Sequence, residues 1–134
     1  MVTEPCTVWL PFPPSVNNLF SQGLVKGKVR RFPSKPYKSW RKEAVLRLCA
    51  ARIPRFSEPV VVKLCLAPRD RRPRDADNYN KAVLDALVEA RILHDDSCHW
   101  VKSVIAWFEE PGGNPGVTVS LRVASLPLFK AAAA

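Results

Sequence analysis

Cys6, Val8 and Leu10 alternate with Thr7 and Trp9, the period of two that gives a strand two unlike faces. Pro11-Phe12-Pro13-Pro14 ends that strand, because proline donates no amide hydrogen to a sheet. Val60 to Ala67 is the most β-branched run of the chain. Val60, Val62, Leu64 and Leu66 make one face, and Val61, Cys65 and Ala67 keep the other largely apolar, so the pattern predicts a central strand covered on both sides. Strands over about 100–108 and 117–123 follow. The turn composition of Glu110-Pro111-Gly112-Gly113-Asn114-Pro115-Gly116 separates them, and they are expected to pair antiparallel with each other.

Helical spacing replaces alternation in two places. Trp40, Ala44, Val45, Leu48 and Cys49 predict a helix from Lys38 or Ser39 to about Arg52, stopped by Ile53-Pro54. Val83, Leu84, Leu87 and Val88 predict a second over about 78–91, with Asp77 at its N-cap. A short hairpin is expected about Lys26-Gly27. The order β-α-β-α-β-β describes a single α/β (α+β) domain over 1–130, a mixed sheet with two helices on one face. The run after Lys130, 131–134, carries no packing pattern and is taken as a tail.

Composition narrows the function. With 134 residues, 47% of them hydrophobic, the chain can bury a real core, which argues against a disordered basic protein. The balance of 21 Lys and Arg against 12 Asp and Glu points to a polyanionic partner, most economically nucleic acid. No basic amphipathic helix and no apolar run of about 20 residues suggests a membrane partner. The 4 cysteines are far apart, without the close pairs of zinc sites, and are expected to be reduced, buried thiols. No signal-peptide pattern opens the chain, so a cytoplasmic protein is expected. No organic cofactor is implied.

Charge is also unevenly placed. Between Lys26 and Lys42 there are eight basic residues and no acidic one, with Phe32, Tyr37 and Trp40 interleaved, a pattern suited to phosphates and stacked bases. Lys26, Lys28, Arg30 and Arg31 are its candidate DNA contacts, joined farther on by Arg69, Arg71, Arg72 and Arg74. Seven of the 12 acidic residues lie between Asp70 and Asp96. Carboxylates collected inside a ring of arginines suit a divalent cation held beside a polyanion, and hence a metal-dependent nuclease. Asp75 and Asp77, two residues apart at a loop-to-helix junction, point to one side if extended. Lys81 follows one helical turn later. Of Asp95 and Asp96, adjacent and diverging, one is expected to reach the site. Spacing alone also allows a helix cap at Asp77, an exposed Lys81–Asp85 pair and a polar turn at Asp95-Asp96. His94 and His99 are expected to be structural or surface residues.

A resemblance weighs on that choice. Leu10-Pro11-Phe12-Pro13-Pro14-Ser15-Val16-Asn17-Asn18 resembles the L-P-x-P-P-S-x-N opening of the RusA family of Holliday junction resolving endonucleases. The stretch Arg74 to Leu87 resembles that family's R-D-x-D-N-x-x-K-x-x-x-D-x-L signature, and Asp95-Asp96 falls at its D-D position. The resemblance implies that Asp75, Asp77 and Asp96 bind Mg²⁺, for which Mn²⁺ can substitute, and that Lys81 is the essential lysine. Asn78 and Asp85 match the pattern as supporting residues, Asp85 orienting Lys81 or bonding outside the metal. It further implies a homodimer acting on four-way DNA junctions in recombination and repair. The basic loop from Lys26 to Arg31 follows no fixed family pattern. Two other readings stay open: a branched-DNA-binding module without catalysis, and a nuclease acting on flaps or single strands.

Overall fold

The computed structural model describes residues 5–124, so the expected tail at 131–134 lies outside the described residues. Strand β1 (Cys6–Pro11) leads through a 3-10 turn at Val16–Asn18 into a hairpin of β2 (Phe20–Val25) and β3 (Lys28–Pro33). Helix α1 (Lys35–Ala50), strand β4 (Val60–Ala67), a second 3-10 turn (Ala76–Tyr79), helix α2 (Asn80–Glu89) and strands β5 (Val101–Phe108) and β6 (Gly116–Val123) complete the chain. The result is a mixed α+β fold, a four-stranded sheet in the order β1-β6-β4-β5 with the hairpin as a separate two-stranded sheet.

The expected pairing of the last two strands is wrong. β6 pairs antiparallel with β4 and with β1, and β5 pairs parallel with β4 on the opposite side. The Gly- and Pro-rich segment after Phe108 is a crossing past the end of β4 rather than a hairpin loop. A strand as apolar as β4 gains most when both its edges are paired, and β5 and β6 supply one edge each.

Coverage on both faces is also wrong. Val60, Val62, Leu64 and Leu66 are fully buried together with Tyr37, Ala44 and Leu48 of α1 and Val83, Ala86 and Leu87 of α2, in one core that places both helices on one face. On the other face Val61 is buried, but Lys63 is exposed and Cys65 half-buried, and Trp107 of β5 is 60% exposed. No helix of the described residues lies over that side. Gly116 belongs to this face, and the Trp9 indole occupies the space where a Cβ would stand. Trp9 is held there with the Arg47 guanidinium 4.9 Å from its ring.

Local chemistry sets the ends of the elements. α1 begins at Lys35, earlier than expected, because the Ser34 hydroxyl accepts the Tyr37 amide hydrogen at 3.2 Å and caps the helix. Pro36 stands in the first turn, where no amide is required. α2 begins later than expected. Asp77 lies inside the 3-10 turn and caps nothing; Asp75 is the residue that precedes that turn, without a side-chain cap bond. The expected hairpin is present, and Lys26 and Gly27 have φ of 52° and 76°, the two positive values a tight two-residue turn requires. All four cysteines are free, as expected, but none is fully buried: Cys49 and Cys98 are exposed and Cys6 and Cys65 half-buried. Tyr37 and Trp40 belong to the core, so of the three aromatic residues expected to stack on bases only Phe32 is exposed.

Candidate active site

α2 carries its apolar stripe, Ala82, Val83, Ala86 and Leu87, into the core, which leaves Lys81 and Asp85 along the stripe's edge one turn apart. Lys81 Nζ lies 3.0 Å from Asp85 Oδ1 and 3.6 Å from Asp96 Oδ2. The other Asp85 oxygen, Oδ2, accepts the Tyr37 hydroxyl at 3.0 Å. A continuous run of polar contacts therefore leads from the core side of α1 to the ammonium of Lys81 and on to Asp96. The hydrogen bond to Asp85, aided by the charge of Asp96, holds the Lys81 ammonium above the ordinary lysine range, against its partial burial. Burial, and then the charge of Asp85, pushes the Tyr37 phenol up to about 12.

Lys81, Asp85 and Asp96 line an open cleft of about 370 Å³ with Asp95, Val88, Arg41 and Glu89. Asp95 turns its Oδ1 to the Ser97 amide at 2.7 Å, and the Ser97 hydrogen bonds keep its carboxyl below the usual range. Asp96 is the member of the pair that meets Lys81. From α1, Arg41 reaches the same cleft, 3.2 Å from Glu89 and stacked on the Tyr37 ring at 5.0 Å. Sequence reasoning missed Tyr37 and Arg41. The signal was their spacing of four, which places both on one face of α1.

The arginine turn is built around Asp70. Its Oδ1 accepts the Arg72 amide at 3.1 Å and Arg74 Nη2 at 2.8 Å, and Arg72 Nε lies 3.2 Å from Oδ2. The Arg72 amide and then the Arg74 guanidinium hold the Asp70 carboxyl down to about 2. Arg74 also donates to the carbonyls of Asp70 and Arg72, both at 3.0 Å, and its side chain is only 13% exposed. It stitches the turn. Arg71, 3.7 Å from Glu110, and Arg72 remain open to solvent beside a second cleft of about 400 Å³ under Glu109 and Pro111. Arg69 is exposed, as are Lys26, Lys28, Arg30 and Arg31 on the hairpin.

Asp75 and Asp77 are exposed at the 3-10 turn that opens α2, and Asn78 donates its amide to the Asp75 carbonyl at 3.2 Å. Neither carboxylate takes part in a hydrogen bond or ion pair among the described residues. The donor chemistry suits a hard cation, all oxygen and all carboxylate. No group of three or more His, Cys, Asp or Glu side chains stands in a metal-holding arrangement among the described residues. What the folded chain brings together is Lys81, Asp85 and Asp96; Asp75 and Asp77 lie one helical turn away along the chain. His94 stacks on Trp100 at 4.1 Å and accepts from Arg55 at 2.8 Å, a surface role.

The family model described as Endodeoxyribonuclease RusA matches residues 11–122, from the end of β1 to β6. The chain belongs to the RusA family. It is therefore a nuclease, and the cleft around Lys81 lies within the matched region. A relative from Enterobacteria phage HK97, named crossover junction endodeoxyribonuclease rusA, is 29% identical over 116 residues, covering 83% of this chain and 90% of its own. The RusA match spans Tyr37, Arg41 and the arginine turn as well as α2. No helix is long and apolar enough to cross a membrane among the described residues.

Proposed function

We propose that the protein resolves four-way DNA junctions by paired, Mg²⁺-dependent phosphodiester hydrolysis in recombination and repair, acting in the cytoplasm. The observation that carries this reading is the Lys81 ammonium fixed between Asp85 and Asp96, in a cleft shared with Arg41, within the RusA-matched stretch. The phage relative's name supports the junction as substrate.

Hydrolysis adds a water oxygen to phosphorus and expels a sugar oxygen while negative charge grows on the phosphoryl oxygens. Lys81, kept protonated by its carboxylate neighbours, donates to one of those oxygens or to the leaving oxygen. Asp85 fixes the direction of that ammonium, and Tyr37 fixes Asp85. Asp75, Asp77 and Asp96 would hold the divalent cation, which supplies charge neutralisation and water activation when bound. Asn78 supports that turn from its backbone. Arg69, Arg71 and Arg72 with the hairpin cations grip the phosphates on either side of the cleavage point. Two symmetric cuts need two sites related by a twofold axis, so the working form is a homodimer. The sheet face carrying Trp107 and Ile105, without a helix over it, offers apolar surface for a second copy.

The test is cleavage of a labelled four-way junction beside a linear duplex of the same arms, with Mg²⁺, with Mn²⁺ and with EDTA. Wild type should give paired, symmetric nicks on the junction alone and only with metal. Asp77→Asn and Lys81→Ala should bind the junction and leave it intact. Tight binding with no cutting by wild type in any divalent metal would make this a non-catalytic module. Equal cutting of flaps or single strands would reassign the substrate.

A further inference from the structure

The β2–β3 hairpin has a feature that phosphate binding does not explain. Leu24 and Val29 face each other across the ladder next to the turn and are 76% and 69% exposed. A two-stranded sheet standing alone is marginally stable, and an apolar pair left in water at its tip makes it no more so. The root, by contrast, is anchored. The Ser34 hydroxyl donates to the Asn18 carbonyl at 2.7 Å, the Ser34 amide to the Leu19 carbonyl at 2.9 Å, and the Phe20 ring meets Tyr37 edge-on at 6.2 Å.

Register places Leu24 and Val29 on the same face as Phe20, because the pairs Phe20–Pro33, Gln22–Arg31 and Leu24–Val29 alternate with the intervening ones. The face that packs on Tyr37 at the root is therefore the face that carries the apolar pair at the tip. Tyr37 in turn bonds Asp85 beside Lys81, so the root of the hairpin is one residue removed from the Lys81 cluster. Four strand steps from Phe20 to Leu24 at about 3.4 Å set the pair roughly 14 Å out from the root, more than the roughly 12 Å width of the DNA major groove.

We propose that Leu24 and Val29 insert between unstacked bases at the branch point and so distinguish branched from linear DNA. The inference rests on the junction reading above and deepens it to the shape of the substrate. Charge selects the occupant. Lys26, Lys28, Arg30 and Arg31 surround the pair and no acidic residue lies between Ser21 and Lys42, so the hairpin of a second copy would meet like charge, whereas DNA releases counterions on binding. Apolar wedges enter DNA by opening a base step, which in a duplex costs stacking energy. At a four-way crossing the stack is already interrupted, and the same wedge enters without that loss.

The experiment uses Leu24→Thr/Val29→Thr, which keeps every charge and the strand preference, and Leu24→Met/Val29→Ile, which keeps an apolar tip. Each is titrated in EDTA against a four-way junction with 2-aminopurine at the branch point and against a duplex of the same arms. The threonine variant should bind the junction about 10-fold more weakly with duplex affinity within twofold, and should lose the 2-aminopurine brightening seen with wild type. The Met/Ile variant should behave as wild type. Equal loss on both DNAs, unchanged junction affinity, or a dimer-to-monomer change in sedimentation would overturn the inference, the last by assigning the pair to a second copy. Wild type showing no preference for the junction would instead sink the junction reading itself.

Discussion

Tyr37→Phe removes one oxygen from the core and should be felt at Lys81. Tyr37 is 1% exposed, and its hydroxyl is 3.0 Å from Asp85 Oδ2. Phenylalanine keeps the edge contact with Phe20 and the stack under Arg41, so packing is unchanged and only the hydrogen bond is lost. A hydrogen bond to a charged group contributes about 1.5–3 kcal/mol. The Asp85 side chain is 26% exposed, so water refills part of the gap and the loss belongs at the lower end, about 1.5 kcal/mol. For a chain of this length that is a fall in Tm of roughly 5–8 °C. Asp85 released from Tyr37 also holds Lys81 less firmly, and about 1.4 kcal/mol off the transition state is a tenfold slower single-turnover cleavage at unchanged junction affinity.

The decisive assay is a double-mutant cycle. In an Asp85→Asn background, Tyr37→Phe should cost much less, leaving a coupling of about 1 kcal/mol or more in both stability and rate. Additive effects would refute the reasoning, since they would mean that the hydroxyl does not act through Asp85. Alkaline unfolding gives an independent sign. The Tyr37 phenol is pushed from 10.0 to about 12, so between those values the native state keeps a proton that the unfolded chain has released. Its contribution to stability is complete below about pH 10 and lost as pH rises toward 12, and Tyr37→Phe should flatten that slope.

Asp70, held down to about 2 from 3.8 by Arg72 and Arg74, stabilises the arginine turn above about pH 4 and loses that effect as pH falls toward 2. Asp70→Asn should remove this acid dependence and loosen the turn, measured as faster amide exchange at Arg72. Gly116→Ala pushes a methyl into the Trp9 indole and should destabilise by about 1–3 kcal/mol, with a red-shifted Trp emission as the ring is pushed off the sheet toward water. Arg52 closes α1 with φ of 55°, a conformation glycine adopts without strain, so Arg52→Gly should stabilise by about 1 kcal/mol in urea unfolding.

Strand and helix positions were legible wherever periodicity was local. β4 matches its expected span from Val60 to Ala67, and the Lys26-Gly27 turn announces itself through glycine chemistry. Partners were less legible. Nothing in the spacing of β5 and β6 reveals that β4 will stand between them, because parallel pairing depends on residues far apart in sequence. The N-terminus of α1 was hidden by Pro36, which reads as a breaker unless Ser34 is recognised as the cap that makes it a first-turn residue. In the candidate site, Lys81, Asp85 and Asp96 follow from motif and helical spacing. Tyr37 does not, since an aromatic residue in a basic segment looks like a stacking platform until its burial is known.

The parallel pairing of β4 with β5 has a consequence for how this protein can change. β4, α2 and β5 form one uninterrupted crossover, and Asp75, Asp77, Lys81, Asp85 and Asp96 all lie within it. The hairpin and the basic face of α1 lie in an earlier, separate stretch of chain. The proposed metal and lysine chemistry thus sits wholly in the later segment together with the arginine turn, while the hairpin cations sit in the earlier one. Loop length, tip residues and surface charge can drift in the first segment to suit different DNA shapes while the second keeps its chemistry. The two segments share one core, and their polar link at the site is the Arg41–Glu89 pair and one phenol touching one carboxylate.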